Sequence, residues 1–258
     1  MTISTIFRKT LKAILILAFW VGVWQILAGL VDLELLLPSP LAVLGVLGER
    51  ITTLVFWKSV LFSILRILGG FLCSVIMGVI LGLLTAKFSL LKSLFSPLLH
   101  IVRAAPVASF IILALVWIET DILPAFISFL MGLPIIWQAV ETATIQGDKA
   151  REEVAKVFKF SRLKTFVYVT IPAVFPSFIA AAVTTLGFCW KSGVAAEVIC
   201  LPKLAIGKLL HTAKLQFETA DVFAYTLVTI VLSVLLEILL KWVLRRYTRK
   251  KEGAANGN

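Results

Sequence analysis

The sequence predicts an all-α, polytopic membrane bundle of about six spans, and three observations carry that expectation. First, 60% of the 258 residues are hydrophobic and 15% charged, with a mean hydropathy of +1.03, which leaves too little polar surface to clothe a water-soluble globule. Second, apolar runs near the bilayer-spanning length recur along the chain, and helices satisfy their own backbone hydrogen bonds in lipid. Third, the lysines and arginines are bunched between those runs rather than spread along the chain.

The runs lie at about 13–31, 59–85, 93–117, 122–146, 166–190 and 222–244, and each is expected to be a span. The first follows Arg8, Lys9 and Lys12, as in a secretory leader, but it is too long and no small-x-small cleavage site follows, so it is expected to be retained. Loops are expected at 32–58 and 191–221, with an acidic turn at Glu119 and Asp121 and a polar tail over 245–258. With the amino terminus in the cytoplasm, seventeen of the twenty-five Lys and Arg residues fall on the cytoplasmic side. The net charge of +11 therefore reflects topology rather than nucleic-acid binding. Cys73, Cys189 and Cys200 are isolated and odd in number, which fits small buried hydrophobes better than a disulfide framework or a metal site. His100 and His211 are far apart and make no metal pair.

One polar island interrupts this pattern: REEVAKVFKFSRLKTFVYVTIPAVFP, residues 151–176. Asp148 can cap a short helix from Lys149 to Phe158, with Val154, Val157 and Phe158 on one face and Glu152 four residues before Lys156. Ser161 can cap a second short helix through Val169, and Pro172 then marks the start of the fifth span. Together they form a cytoplasmic elbow over about 147–165. Phe158 and Phe160 are either anchors for a soluble partner or residues dipping into the headgroups.

Charges inside spans need a reason. Arg103 either lines a path beside the turn imposed by Pro106 or pairs with Glu141 or Glu237. Arg66 lies nearer a span entrance, where snorkelling or helix capping suffices. Trp190, Lys191 and Glu197 fall where the fifth run ends, and they either hold part of a path or form an interfacial ion pair beside a tryptophan. Gly78 and Gly82 make a small-x-x-x-small pair suited to close helix packing. Lys191-Ser192 lacks the glycine and the preceding strand of a phosphate-binding loop, so no nucleotide binding or catalytic chemistry is expected on this chain.

Glu153-Val154-Ala155, then Lys159, then Ile171-Pro172 resembles the EAA signature of permease subunits of bacterial ABC importers. Val154 departs from the triplet, and Lys159 replaces a glycine, so a left-handed turn there would cost about 1 kcal/mol or more. The segments Leu37-Pro38-Ser39-Pro40, Ser63 to Phe71, Val102 to Pro106 and Trp190 to Glu197 are similar to the branch that imports nitrate, sulfonates, taurine and pyrimidine-type precursors. The resemblance implies a MetI-like permease fold, a single permease domain over 1–258 in a bacterial inner membrane, and both termini in the cytoplasm. It implies no cofactor. It implies an ATPase dimer, a second permease copy and a periplasmic or lipid-anchored binding protein as partners, besides membrane lipid. It further implies that Glu153, Ala155, Val157, Phe158, Lys159, Ser161, Arg162 and Pro172 couple to the ATPase. Arg103, Trp190, Lys191 and Glu197 would line the pathway or gate. The cargo stays open between a small anion and a pyrimidine-type precursor, and a membrane scaffold or intramembrane enzyme is the alternative to transport.

Overall fold

The computed structural model describes residues 3–146, 158 and 160–255, and these are helical with short links. In chain order the helices are α1 (Ile3–Val31), α2 (Pro40–Arg50), α3 (Leu54–Lys87), α4 (Ser89–Ala104), α5 (Val107–Ala114) and α6 (Leu123–Gln146). They continue with α7 (Arg162–Thr165), a π-turn (Phe166–Thr170), α8 (Ile171–Cys200), α9 (Ile206–Leu215) and α10 (Thr219–Ala255). Five stretches are long and apolar enough to cross a membrane, and α4 with α5 makes a sixth if that bent pair is one span.

The core is α3 packed on α6 and α6 on α8. In lipid, apolar side chains gain little by meeting one another, so close backbone approach must supply the attraction. The α3–α6 seam does this with glycines. A Cβ on Gly70 would sit 2.1 Å from the Ala125 carbonyl oxygen, one on Gly78 2.7 Å from Ile136 Cβ, and one on Gly82 2.8 Å from the Trp137 carbonyl oxygen. The pairing expected of Gly78 and Gly82 is thus a helix contact, extended by Gly70. Across the α6–α8 face, Ser128 Oγ lies 2.8 Å from the Pro124 carbonyl and 3.1 Å from that of Cys189, whose thiol in turn meets the Ser128 carbonyl. Cys189 and Cys200 are buried as expected, whereas Cys73 is exposed on α3.

Several expected boundaries differ. The third run is not one straight span: it breaks after Ala104, and α4 and α5 diverge by 104°. Pro106 has no N–H to donate and disfavours helix at Ala105, which adopts extended angles. The fifth helix does not end at residue 190 but runs to Cys200, because Lys191 lies on its exposed side while Ser192, Gly193 and Ala196 continue the buried face. The chain then reverses through Leu201, whose φ of 53° is left-handed, and enters α9 five residues later. The expected loops 32–58 and 191–221 therefore carry helices of their own, α2 and α9. Ser39 caps α2, accepting from Ala42 N–H at 3.2 Å, with Pro40 in the first turn.

Pro172 stands in the first turn of α8, as expected, but the turns before it are helical too. The helix is continuous from Leu163 to Cys200 as a membrane-spanning stretch. The π-turn just before Pro172 lets Ile171 N–H reach the Phe166 carbonyl, which rearranges the bonding ladder where the proline removes a donor.

The tight seam leads to a direct test. Gly70→Ala should lower thermal stability in detergent by about 1–3 kcal/mol through overpacking, whereas Gly69→Ala, with nothing within 4 Å of its added Cβ, should melt like the parent protein. Equal melting of the two variants would contradict the seam.

Candidate functional site

Two polar knots sit about 30 Å apart along α3, a separation that follows from the rise of a helix between Ser63 and Thr85. They mark opposite ends of the bundle. The first is built on Glu197, fully buried near the end of α8. Its Oε2 accepts from Ser63 Oγ at 2.8 Å and from the Gly207 backbone N–H at 3.2 Å. Ser63 Oγ accepts in turn from the Ile206 N–H, so the start of α9 is tied to both α3 and α8. Glu197 Oε1 has no hydrogen-bond partner among the described residues, but lies 3.9 Å from Arg66 Nη1. Arg66 also donates to the Leu204 carbonyl and, at 3.2 Å, to Asp121 Oδ1, which accepts as well from Lys203 N–H.

This arrangement explains Gly207. A Cβ there would fall 2.5 Å from Glu197 Cβ, so only glycine lets α9 come close enough for its N–H to reach the carboxylate. A buried carboxylate is tolerable when a cation and donors surround it, and costly when one of them is lost. Beyond this knot, Arg50 at the end of α2 pairs with Asp221 at 2.7 Å. The hydrogen bonds Arg50 donates to Asp221, together with the negative charge there, raise the proton affinity of the Arg50 guanidinium further above its usual value.

The second knot lies near the start of α4. Lys92 Nζ meets Glu141 Oε1 at 2.8 Å, Thr85 Oγ1 donates to Glu141 Oε2 at 2.8 Å, and Trp137 Nε1 donates to Thr85. Glu141 is thus engaged by Lys92, and Glu237 by Lys241. Neither is the partner of Arg103 that the sequence suggested. Arg103, exposed at the end of α4, instead donates to the Gln138 side-chain oxygen on α6. A cavity of about 200 Å³ opens beside it at the α4–α5 break, lined by Val102, Val107, Met131, Pro134 and Phe188 among others.

The remaining sequence-predicted positions fall as follows. Trp190 is not at an interface: it is buried, and its Nε1 donates to the Thr229 carbonyl at 3.0 Å, joining α8 to α10. Lys191 is exposed on the same helix and makes no ion pair with the buried Glu197. Of the elbow, Glu153, Ala155, Val157 and Lys159 lie outside the described residues, as does the helix expected from Lys149 to Phe158. Ser161 does cap α7, its Oγ accepting from Lys164 N–H at 3.4 Å, and Arg162 is the first helical residue. Phe158 is exposed and stacks on Phe160 at 5.6 Å, which in turn meets Tyr168 on the π-turn at 6.5 Å. Pro172 follows within the first residues of α8.

Sequence reasoning missed the roles of Arg66, Asp121 and Gly207, whose partners are far away along the chain, and of Gln138, a neutral residue. The one local signal was that Arg66 lies within an apolar run.

The profile of the family described as "Binding-protein-dependent transport system inner membrane component" matches residues 74–249. The chain is 29% identical over 255 residues to a "Probable ABC transporter permease protein" of Brucella abortus (strain 2308), covering 96% of this chain and 99% of the relative. It is 25% identical over 193 residues to a "Bicarbonate transport system permease protein" of Synechococcus elongatus, covering 74% and 68% of the two chains. It is 28% identical over 147 residues to a "Nitrate import permease protein" of Leptolyngbya laminosa, covering 56% and 52%.

Breaking the first knot tests its role. Glu197→Ala should destabilise the detergent-solubilised protein by about 3–5 kcal/mol and expose the 201–205 link to protease, because Arg66 would keep a buried charge with one carboxylate fewer. Glu197→Gln retains an acceptor for Ser63 and Gly207 and should lose markedly less. Equal melting temperatures for both variants and the parent would show that the knot carries no stability.

With a matching profile over most of its length, a polytopic helical structure and relatives of the same class, this chain belongs to the family of multi-pass inner-membrane permease components of binding-protein-dependent ABC importers.

Proposed function

We propose that this permease carries a small anion inward and draws its energy from a separate ATPase that docks on the elbow. Three relatives of this chain carry names that specify bicarbonate, nitrate and aliphatic sulfonates, all anions at neutral pH. The observation that carries the coupling half is the aromatic ladder Phe158, Phe160 and Tyr168. It leads from an exposed ring in the elbow to the π-turn at the foot of α8, the helix that ends in the Glu197 knot.

Both termini and the elbow face the cytoplasm in this reading, since helix directions gather Arg8, Lys12, Lys87, Lys92, Lys164 and Lys241 at the elbow end. Two copies of the chain enclose the path, because a single bundle of five or six spans leaves little room for a solute. A binding protein delivers cargo to the opposite face, near α2, α9 and the links beside them. ATP-driven closure of the ATPase pair pushes on the elbow, and the bundle answers as a rigid body switching between inward-facing and outward-facing states. Phe158 inserts into the ATPase as an apolar anchor, Ser161 and Pro172 fix the turn behind it, and Glu153, Ala155, Val157, Lys159 and Arg162 complete the contact. Trp190, Lys191 and Glu197 hold the helix that frames the path.

Phe158→Ala should weaken co-purification of the ATPase subunit about tenfold or more, the loss expected for truncating an anchor, and should slow cargo-stimulated ATP hydrolysis with it. Unchanged co-purification together with unchanged stimulation would remove the elbow as the docking element.

A further inference from the structure

Arg103 differs from the cations that tie helices of this bundle together through carboxylates. Arg66 meets Asp121 and Glu197, Lys92 meets Glu141, and Arg50 meets Asp221. Arg103, fourteen residues into α4, has a neutral partner, the side-chain oxygen of Gln138, and no carboxylate pairs with it among the described residues. A charge within an apolar run is costly unless it faces a cavity, a partner or an interface. Here it stands at the α4–α5 break, at the wall of a cavity of about 200 Å³ otherwise lined by apolar groups.

We propose that Arg103 and Gln138 form an anion-binding station in the pathway, taking a carboxylate, sulfonate or nitrate-type oxyanion. This inference rests on the anion-carrying reading given above and assigns the contact within it. Three features support it. A guanidinium has five N–H donors in a planar fork, and one Nη1 bond to Gln138 leaves several to grip two oxygens of a planar or tetrahedral anion. Gln138 lies outside the cavity wall, and its oxygen holds the guanidinium in place without cancelling the charge, as a carboxylate there would. The cavity is smaller than the roughly 300–1,000 Å³ typical of drug-sized ligand pockets and suits an ion of a few heavy atoms. A single cation with neutral neighbours also suits a station that must release its ion, since conduction needs binding strong enough to admit and weak enough to let go.

The test uses the complete transporter, permease with ATPase and binding protein, in proteoliposomes, measuring uptake of labelled nitrate, ethanesulfonate and bicarbonate against concentration. For whichever anion the parent accumulates, Arg103→Gln should cut uptake about tenfold or more, by loss of a charge-assisted contact. Arg103→Lys, which keeps the charge but not the fork, should recover a substantial part of it. Gln138→Glu, nearly identical in size, should pair with Arg103 and suppress uptake although the complex still assembles, which supplies an arm that does not depend on Arg103→Gln folding. Parental uptake in Arg103→Gln or in Gln138→Glu would overturn the station, as would equal loss in Arg103→Gln and Arg103→Lys. A parent complex that accumulates none of the three anions would overturn the anion reading and this inference with it; a parent that does, beside variants that do so equally, overturns this inference alone.

Discussion

The interaction on which the bundle depends is the buried contact of the Glu197 carboxylate with Ser63, Gly207 and Arg66. A carboxylate with no access to water must be surrounded by donors or cations, and these come from α3, from the first turn of α9 and, through Arg66, from the links at Asp121 and Leu204. One side chain thereby fixes where four parts of the chain meet. Its position in turn fixes the reversal after Cys200, where Leu201 adopts a left-handed conformation so that α9 can fold back onto Glu197. The absence of a side chain at Gly207 is the counterpart of the charge, since it admits the backbone donor.

Between this knot and the Thr85–Glu141–Lys92 knot at the other end, the α3–α6 seam is packed backbone to backbone at Gly70, Gly78 and Gly82. Interfaces this tight do not deform continuously. Under the coupling proposed above, a push at the elbow would move the three-helix core as a body and leave bending to the places where the bonding ladder is already altered: the π-turn at Phe166–Thr170 and the Ala105–Pro106 break. The break is also where a guanidinium with no carboxylate partner among the described residues meets a cavity, so the bend in the helix pair and the ion-sized space coincide.

Much of the fold was legible because apolar length is a local property. The runs at 59–85 and 122–146 match α3 and α6 within a few residues, and the turn at Pro106 was visible as a proline after two alanines. Its consequence was not: the run over 93–117 has apolar residues on both sides of the bend, so hydropathy reads it as one span. The fifth helix was cut short for a similar reason. Lys191 ends the apolar run, although it occupies the exposed side of a helix whose buried side continues through Ala196. Partnerships were the least legible. Arg66 finds the Leu204 carbonyl 138 positions away, and Glu197, expected either in a path or in an interfacial ion pair with Lys191, takes its donors from residues 63 and 207. Of the elbow, Ser161 caps as its spacing indicated, and Phe158 presents an exposed ring. The EAA-like triplet itself falls outside the described residues.

The account stands on the elbow and the Glu197 knot facing opposite compartments, the elbow toward the ATPase and the knot toward the arriving cargo. Replacing Cys73, Cys189 and Cys200 and then introducing Phe160→Cys or Lys203→Cys allows each end to be labelled in sealed right-side-out vesicles with a membrane-impermeant maleimide. Lys203→Cys should react at once and Phe160→Cys only after the vesicles are opened. Labelling of Phe160→Cys from outside, or of both positions from the same side, would contradict the account.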